Sequence, residues 1–371
     1  MKVTIERGTL LKALSHVQSV VERRNTIPIL SNVLLRADGG TLSLTATDLD
    51  IEIIEQVPAD ADQPGAVTAA AVTLFDIVKK LPDGNQVQLE RLASGRLRLS
   101  SGQSEFSLAV LPEDDFPSLP QADDGQSFTV KTGELARLID KAKFAMSQEE
   151  TRYYLNGIYL HAYEDGDTPS LRAVATDGHR LARLDSPLPE GAAGLQGIII
   201  PRKAVIELRR LLDDAGEGVE VLVASGRVRF AFDDITLTTK LIDGTFPDYA
   251  RVIPEGNDKI MRVSPDEFAR SVDRVSTVSA DKTRSVKLAL EGDKLTLNVN
   301  SPETGSATED LGVDYPGDAI EIGFNARYLL DITSQIDGEA ATFAFADTAS
   351  PTVITDADDP HALYVLMPLR V

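Results

Sequence analysis

The chain has 371 residues, no cysteine and a net charge of −21. This length exceeds one ordinary core and suits two or three domains. The lack of cysteine excludes disulfides, thiolate metal sites and cysteine nucleophiles, and the four histidines are too scattered to suggest a metal site. An evenly spread negative charge would also repel nucleic acid, so its distribution along the chain decides whether DNA is excluded.

The N-terminal segment and the hydropathy pattern bear on location. No apolar run is long enough to span a membrane. The segment MKVTIERGTL alternates polar and apolar residues and carries charge early, which is not the pattern of a signal peptide. We therefore expect a cytoplasmic protein with no membrane partner. We also expect no cofactor and no metal.

The predicted elements recur three times along the chain. Each copy begins with a strand and an amphipathic helix, the helices covering 9–22, 133–146 and 265–276. Alternating strands follow, and a second helix covers 73–81, 202–212 and 326–336 before further strands close the copy. Two helices with hairpin-connected strands predict an α+β domain, with antiparallel sheets on one side and both helices on the other.

Direct sequence matches support the repeat. TATDLD (45–50) matches VATDGH (174–179), SGRLRLSS (94–101) matches SGRVRFAF (225–232), and LPEDDFPSL (111–119) matches LIDGTFPDY (241–249). The offset is about 130 residues each time, and the third copy is more diverged. The sequence therefore predicts three domains, over 1–126, 127–256 and 257–371.

Positive charge is concentrated on the predicted helices. They contain 13 Lys and Arg against 9 Asp and Glu, so they are net +4 while the rest of the chain is about −25. Helix propensity alone favours Lys and Arg in helices. If the helices of all copies face one way, however, they form a mildly basic wall suited to loose, sequence-blind phosphate contact.

The stretch ATDGHRL (175–181) is a candidate for chemistry. A hydrolase could use Asp48, Asp177 and His179 with a divalent metal. Asp177 and Gly178 also have the composition of a turn, and no serine elbow, second histidine or paired carboxylate accompanies His179. A repeat-built protein-binding module with no DNA role is a third possibility.

Several longer stretches carry a family resemblance. They include IPILSNVLL (27–35), TLSLTATDLD (41–50), RYYLNG (152–157), ATDGHRLA (175–182), PRKAVIEL (201–208), DGTFPDY (243–249), EIGFN (321–325) and YVLMPLRV (364–371). With these, the chain resembles the bacterial DNA polymerase III β subunits, the sliding clamps, over nearly its whole length.

The resemblance implies an architecture and partners. It implies three clamp domains per chain, with helices inside and antiparallel sheets outside, and a head-to-tail homodimer that closes a six-domain ring around double-stranded DNA without reading its sequence. The protein would be non-catalytic and nucleoid-associated during replication. Its partners would be the polymerase III catalytic subunit, the clamp loader and other replication and repair proteins, bound through a short apolar peptide motif.

The resemblance also implies three sets of site residues. A peptide pocket between the second and third domains would comprise Leu155, Thr176, Gly178, His179, Arg180, Leu181, Pro247, Arg251, Val252, Val365, Leu366, Met367, Pro368, Leu369 and Arg370. The DNA-side candidates, which include cations of the predicted helices, are Arg24, Lys80, Arg137, Lys141, Gln148, Tyr153, Tyr154, Arg202, Lys203 and Arg210. The dimer interface would use Phe106, Leu108 and Val278. Gln103 and Glu105 stand where well-studied members have arginines, so the interface ion pairs of those members do not carry over.

Overall fold

The fold is described by a computed structural model, which covers residues 1–22, 26–120, 124–164, 168–279 and 284–370. Within these ranges none of the helices is long and apolar enough to cross a membrane. The α-helices there are α1 (Arg7–Val17), α2 (Ala71–Lys80), α3 (Thr132–Ala142), α4 (Arg202–Leu212), α5 (Pro265–Ser276) and α6 (Ala326–Thr333). All six predicted helices are thus present.

Three of the predicted helices extend too far at their C-terminal ends. The sequence pattern runs to 22, 146 and 336, whereas α1, α3 and α6 end at Val17, Ala142 and Thr333. Beyond these ends the backbone forms i→i−3 hydrogen bonds, for example from the Ile336 N–H to the Thr333 carbonyl. Apolar spacing continues through such tightened turns, so periodicity cannot detect the change.

The start of α5 is where its sequence predicts it. The Ser264 side chain accepts a hydrogen bond from the Glu267 N–H, and Pro265 occupies the first helical turn. Proline is favoured there because its missing N–H would have no partner within the helix. Asn325 caps α6 in the same way, accepting from the N–H groups of Arg327 and Tyr328.

The strands form antiparallel sheets. In chain order they are β1 (Lys2–Glu6), β2 (Asn32–Asp38), β3 (Thr41–Thr47), β4 (Ile51–Pro58), β5 (Asp60–Gln63), β6 (Gly65–Ala70), β7 (Gln86–Arg91), β8 (Leu97–Ser101), β9 (Ser104–Leu108), β10 (Gln126–Lys131), β11 (Gly157–Tyr163), β12 (Ser170–Thr176), β13 (Arg180–Pro187), β14 (Ile198–Pro201), β15 (Gly218–Ala224), β16 (Arg227–Phe232), β17 (Ile235–Lys240), β18 (Lys259–Val263), β19 (Ser285–Glu291), β20 (Lys294–Ser301), β21 (Gly305–Gly312), β22 (Ile320–Asn325), β23 (Ala341–Phe345), β24 (Thr352–Asp356) and β25 (Ala362–Leu366).

The first of two compact units comprises residues 1–135, 189–192 and 203–241. It contains a five-stranded sheet in the order β5-β1-β7-β8-β9 and an eight-stranded sheet in the order β10-β15-β16-β17-β4-β3-β2-β6. Helix α1 packs on α2 and on β3 and β4. In the eight-stranded sheet β17 pairs with β4, Leu237 lying opposite Ile53, so this sheet joins strands from the first and second sequence copies.

The second unit comprises residues 136–188, 193–202 and 242–371. Its eight-stranded sheet has the order β14-β11-β12-β13-β25-β24-β23-β18, and its four-stranded sheet has the order β21-β20-β19-β22. Here β13 pairs with β25, so strands from the second and third copies share a sheet. Helices α5 and α6 pack together, and Phe268, Phe324 and Phe343 are fully buried in this unit.

Candidate functional site

The ATDGHRL stretch forms a hydrogen-bonded turn between β12 and β13. Asp177 Oδ1 accepts from the N–H groups of His179, at 2.9 Å, and Arg180, at 3.0 Å. Thr176 Oγ1 accepts from the Gly178 N–H and donates to the Arg180 carbonyl. Gly178 has a φ of +88°, a left-handed conformation that glycine adopts without penalty. These contacts are those of a turn closed by its own side chains.

The first sequence copy closes the matching turn with the same contacts. Asp48 Oδ1 accepts from the N–H groups of Asp50 and Ile51. Thr47 Oγ1 accepts from the Leu49 N–H and donates to the Ile51 carbonyl. Leu49 stands where the second copy has Gly178 and has a φ of +80°. The turn is therefore a shared structural feature of the two copies.

These contacts leave little support for hydrolase chemistry. The second oxygen of Asp48 accepts from the Lys203 ammonium, and that of Asp177 accepts from Arg180 Nε at 3.1 Å. No group of three or more His, Asp or Glu side chains within the described ranges is arranged to hold a metal ion. The carboxylates that the hydrolase hypothesis requires are engaged by backbone and cations.

The same turn forms one wall of a cavity in the second unit. Strand β13 pairs with β25, Leu181 lying opposite Val365, and the Met367 N–H donates to the His179 carbonyl at 2.9 Å. This pairing holds the C-terminal segment beside the turn. The cavity has a volume of about 280 Å³ and is lined by Leu155, Thr176, Gly178, His179, Arg180, Leu181, Pro247, Asp248, Tyr249, Val252, Val365 and Met367.

The cavity has a buried apolar floor and an exposed apolar mouth. Leu155, Leu181 and Val365 belong to one buried cluster that also contains Val174, Ile199 and Phe246. At the mouth, Val252 is 49% exposed and Met367 is 40% exposed. Single exposed apolar residues are ordinary, but two beside an apolar cavity mark a surface where an apolar side chain can be buried.

Arg180 lines the cavity but its charge is already compensated. Its Nη1 lies 2.5 Å from Asp331 Oδ2, and its Nη2 donates to the Phe144 carbonyl at 2.8 Å. The guanidinium also lies 4.3 Å from the centre of the Tyr328 ring, a cation–π contact. Together with the contact to Asp177, these contacts hold the Arg180 side chain in place as part of the cavity wall.

Gly178 lies close to the side chain of Arg152. A Cβ atom added to Gly178 would lie 2.4 Å from Arg152 Nη1. Arg152 is held in turn by Glu149, with 2.9 Å between Arg152 Nε and Glu149 Oε2. Glycine is therefore favoured here by its positive φ, which Leu49 adopts at the matching position of the first copy, and an added Cβ would also displace the Arg152 guanidinium.

Five residues expected in the pocket lie outside the cavity wall. Leu366 is fully buried, and the Leu369 N–H donates to the Gly323 carbonyl at 2.8 Å. The Arg251 side chain is 84% exposed and pairs with Asp248. The remaining two are Pro368 and Arg370.

Two further residues, Asp248 and Tyr249, line the cavity without having been singled out from the sequence. They lie inside the DGTFPDY stretch that carries the family resemblance, adjacent to the expected Pro247. Their position beside a residue already expected in the wall is the one signal that could have indicated them.

The expected DNA-side residues divide into two groups. Lys80, Gln148 and Tyr153 are exposed, and Arg202 is half-buried, donating to the Met146 carbonyl at 3.3 Å. Tyr154 is partly buried against the apolar floor of the cavity.

The second group is engaged in ion pairs within the chain. Arg137 pairs with Asp359 at 2.5 Å and Lys141 with Asp337 at 2.8 Å. Lys203 contacts Asp48 and Glu22, and Arg210 pairs with Glu207. Neighbouring carboxylates weaken the attraction of such cations for phosphate. Arg24 lies outside the described residues.

Two of the three expected dimer residues lie on an outer strand of a sheet. Phe106 and Leu108 are half-buried on β9, the outermost strand of its five-stranded sheet, and Gln103 and Glu105 beside them are exposed. Val278 is half-buried after α5, and its carbonyl accepts from the Thr304 hydroxyl. An outer strand presents backbone groups that another chain can pair with.

Three models of one protein family together match nearly the whole chain. The N-terminal domain of the DNA polymerase III beta subunit matches residues 1–120, the central domain matches 129–248, and the C-terminal domain matches 250–370.

Individual relatives match over their full length. The chain is 57% identical to the beta sliding clamp of Caulobacter vibrioides NA1000 over 372 residues and 39% identical to that of Escherichia coli K12, with 100% of both chains covered in each case. Among solved structures, the Caulobacter crescentus clamp matches with a TM-score of 0.96 at 57% identity. The Bartonella birtlesii clamp bound to griselimycin matches with a TM-score of 0.97 at 46% identity, and both cover 100% of each chain.

Proposed function

Because the chain belongs to the DNA polymerase III β-subunit family, the sliding clamps, we propose that it closes around duplex DNA as a head-to-tail homodimer and tethers DNA polymerase III. Its function is that of a sliding clamp, a non-catalytic processivity factor, and hydrolase chemistry at Asp177 is not supported. The observation that carries this conclusion is the match of three family domains across one chain of clamp length.

The repeated elements support a division into three clamp domains, 1–126, 127–256 and 257–371. A clamp holds DNA by topology, so its phosphate contacts can remain weak and allow sliding. Non-specific protein–DNA dissociation constants of about 10⁻⁴ to 10⁻⁶ M suffice for that role. The exposed Lys80, Gln148 and Tyr153, with Arg202, are the residues we propose for it, on the nucleoid in the cytoplasm.

We further propose the apolar cavity as the site where partners insert a short peptide. Its walls come from segments matched to both the central and the C-terminal family domains. Full burial of one Leu or Phe side chain contributes about 1.5–3 kcal/mol, part of which is offset by ordering the peptide. The flexible Met367 at the mouth suits several partners sharing one site. These partners would be the polymerase catalytic subunit, the clamp loader and other replication and repair proteins.

Peptide binding to point variants tests this site. The probe is a fluorescent peptide with a glutamine followed by spaced leucine and phenylalanine residues, and the readout is anisotropy. Val252→Ala with Met367→Ala removes apolar surface that is already exposed, so folding should be unaffected while affinity falls about tenfold. Glu255→Ala is the matched control, because Glu255 is exposed in the same segment of the chain and does not line the cavity. Equal binding by all variants would place the peptide site elsewhere.

A further inference from the structure

We propose that His161 is a positioning residue for the peptide-binding cavity: it holds the hydroxyl of Tyr249 and so fixes an aromatic wall that a bound peptide would contact. The inference rests on the proposed peptide-binding function and extends it to a residue outside the cavity wall. His161 lies on β11, and the sequence assigns it no role.

The hydroxyl of Tyr249 has two partners behind the cavity. Tyr249 lines the cavity, and its hydroxyl lies 2.9 Å from His161 Nε2. Arg172 on β12 donates to the same hydroxyl oxygen from Nη1 at 3.3 Å. Tyr249 is the first residue of a short 3₁₀ turn over Tyr249–Val252. These contacts therefore connect that turn to the neighbouring strands β11 and β12.

The tautomer of His161 follows from its other nitrogen. Nδ1 lies 2.7 Å from the Ala162 carbonyl oxygen. A carbonyl only accepts hydrogen bonds, so Nδ1 carries the hydrogen. In the neutral ring Nε2 is then an acceptor, and it receives the Tyr249 O–H. The tyrosine hydroxyl thus donates to the histidine and accepts from the arginine.

The surroundings keep the histidine ring neutral at pH 7. Burial lowers the pKa of His161 below its ordinary 6.5; the Ala162 carbonyl and Asp185 act against this, and the Arg172 charge adds to the lowering. Arg172 itself is fixed by two contacts with the Asp185 carboxylate, at 2.6 and 3.1 Å. The charged groups facing the ring are therefore this arginine and this aspartate, on β12 and β13.

Aromatic packing connects the histidine to the cavity floor. The His161 ring centre lies 4.9 Å from that of Tyr159, which stacks on Phe246 at 4.7 Å. Phe246 belongs to the buried cluster beneath the cavity. Movement of the histidine would therefore disturb both the Tyr249 wall and its support.

Protonation of His161 would oppose the arrangement. With both ring nitrogens carrying hydrogen, Nε2 can no longer accept from the Tyr249 hydroxyl. Because the pKa of His161 lies below 6.5, its ring is neutral above pH 6.5 and can accept the Tyr249 hydroxyl. This hydrogen bond is lost as the pH falls through the lowered pKa. The peptide affinity of the wild type should therefore weaken on acidification. It should weaken less in a variant whose residue 161 does not titrate.

A double-mutant cycle on peptide binding tests the inference. His161→Phe keeps a ring but removes the acceptor, and should weaken binding about threefold to tenfold, the range expected for one hydrogen bond. Tyr249→Phe removes the hydroxyl from the other side and should cost about the same. The double variant should lose no more than either single variant, because both remove one interaction. His161→Gln, whose amide oxygen can accept at a similar reach, should restore affinity to within about twofold and lack the acid dependence.

Several outcomes overturn the inference, and they differ from failure of the proposed function. If the wild type binds the peptide and His161→Phe binds equally well, or if the two losses add, His161 does not act through Tyr249. If the wild type binds no peptide, the peptide site itself is wrong and the inference falls with it. A nitrogen-15 spectrum of the histidine side chains gives a separate readout. It should show hydrogen on Nδ1 of His161, and hydrogen on Nε2 alone would refute the geometry. If His161→Phe fails to fold, Tyr249→Phe still tests the same bond.

Discussion

Replacing Gly178 by alanine adds a single Cβ atom to the wall of the cavity. The residue has a φ of +88°, and an added Cβ would lie 2.4 Å from Arg152 Nη1. Two effects follow: alanine is strained in the left-handed backbone, and the guanidinium must move away from it.

The backbone strain dominates the expected loss of stability. An L-residue in this conformation costs about 1–2 kcal/mol. The clash adds little, because Arg152 ends in a flexible, partly exposed side chain and its pair with Glu149 is exposed. For a folding unit of roughly 150–250 residues, such a loss lowers the melting temperature by about 2–8 °C. Peptide binding should weaken as well, since the turn is part of the wall.

Thermal unfolding of matched variants separates the two effects. Gly178→Asn adds the same Cβ but tolerates positive φ better, so its melting temperature should fall less than that of Gly178→Ala. Combining Gly178→Ala with Arg152→Ala removes the clash and should leave most of the loss. If Gly178→Ala melts and binds peptide like the wild type, neither the positive φ nor the Arg152 contact constrains this turn.

Three further predictions concern the dimer, the DNA contact and the first unit. Phe106→Asp places a charge on the outer strand β9 and should yield folded monomers by sedimentation, and a persistent dimer would contradict the assigned edge. Lys80→Glu should weaken DNA association and reduce its dependence on salt by about one ion; an unchanged salt slope would remove this residue from the DNA surface. Burial opposes protonation of His16, but hydrogen bonds to Glu55 and Asp214 outweigh it and raise its pKa above 6.5. The stability that charged His16 contributes is therefore fully present below pH 6.5 and is lost as the pH rises through the raised pKa. The amount by which His16→Gln lowers the melting temperature should shrink at alkaline pH, and a difference that stays constant with pH would refute this.

Local signals explain which parts of the fold were predictable. The Ser264–Pro265 start of α5 is encoded in adjacent residues, and the turn at Asp177 is encoded in a residue type that accepts from its own backbone. The ends of α1 and α6 are not encoded in this way, because the apolar spacing continues beyond them. The pairing of β13 with β25 joins segments far apart in sequence, and no local pattern specifies it.

The family resemblance named most of the residues that line the cavity, and the peptide role of that cavity stays a prediction. Leu155, Val252 and Met367 line the cavity as the resemblance implies. Ion pairing was not visible, because Arg137 and its partner Asp359 are 222 positions apart. Positive charge counted along a helix therefore overstates the charge available for phosphate contact.

Retention on circular DNA tests whether the protein closes as a ring around duplex DNA. The protein is placed on a nicked circular plasmid by a clamp loader with ATP, and free protein is removed by gel filtration. A closed ring should stay on the circle at moderate salt and be lost when one restriction cut gives the DNA free ends. Equal retention on circular and linear DNA, or none on the circle with a loader that is active on a related clamp, would contradict it.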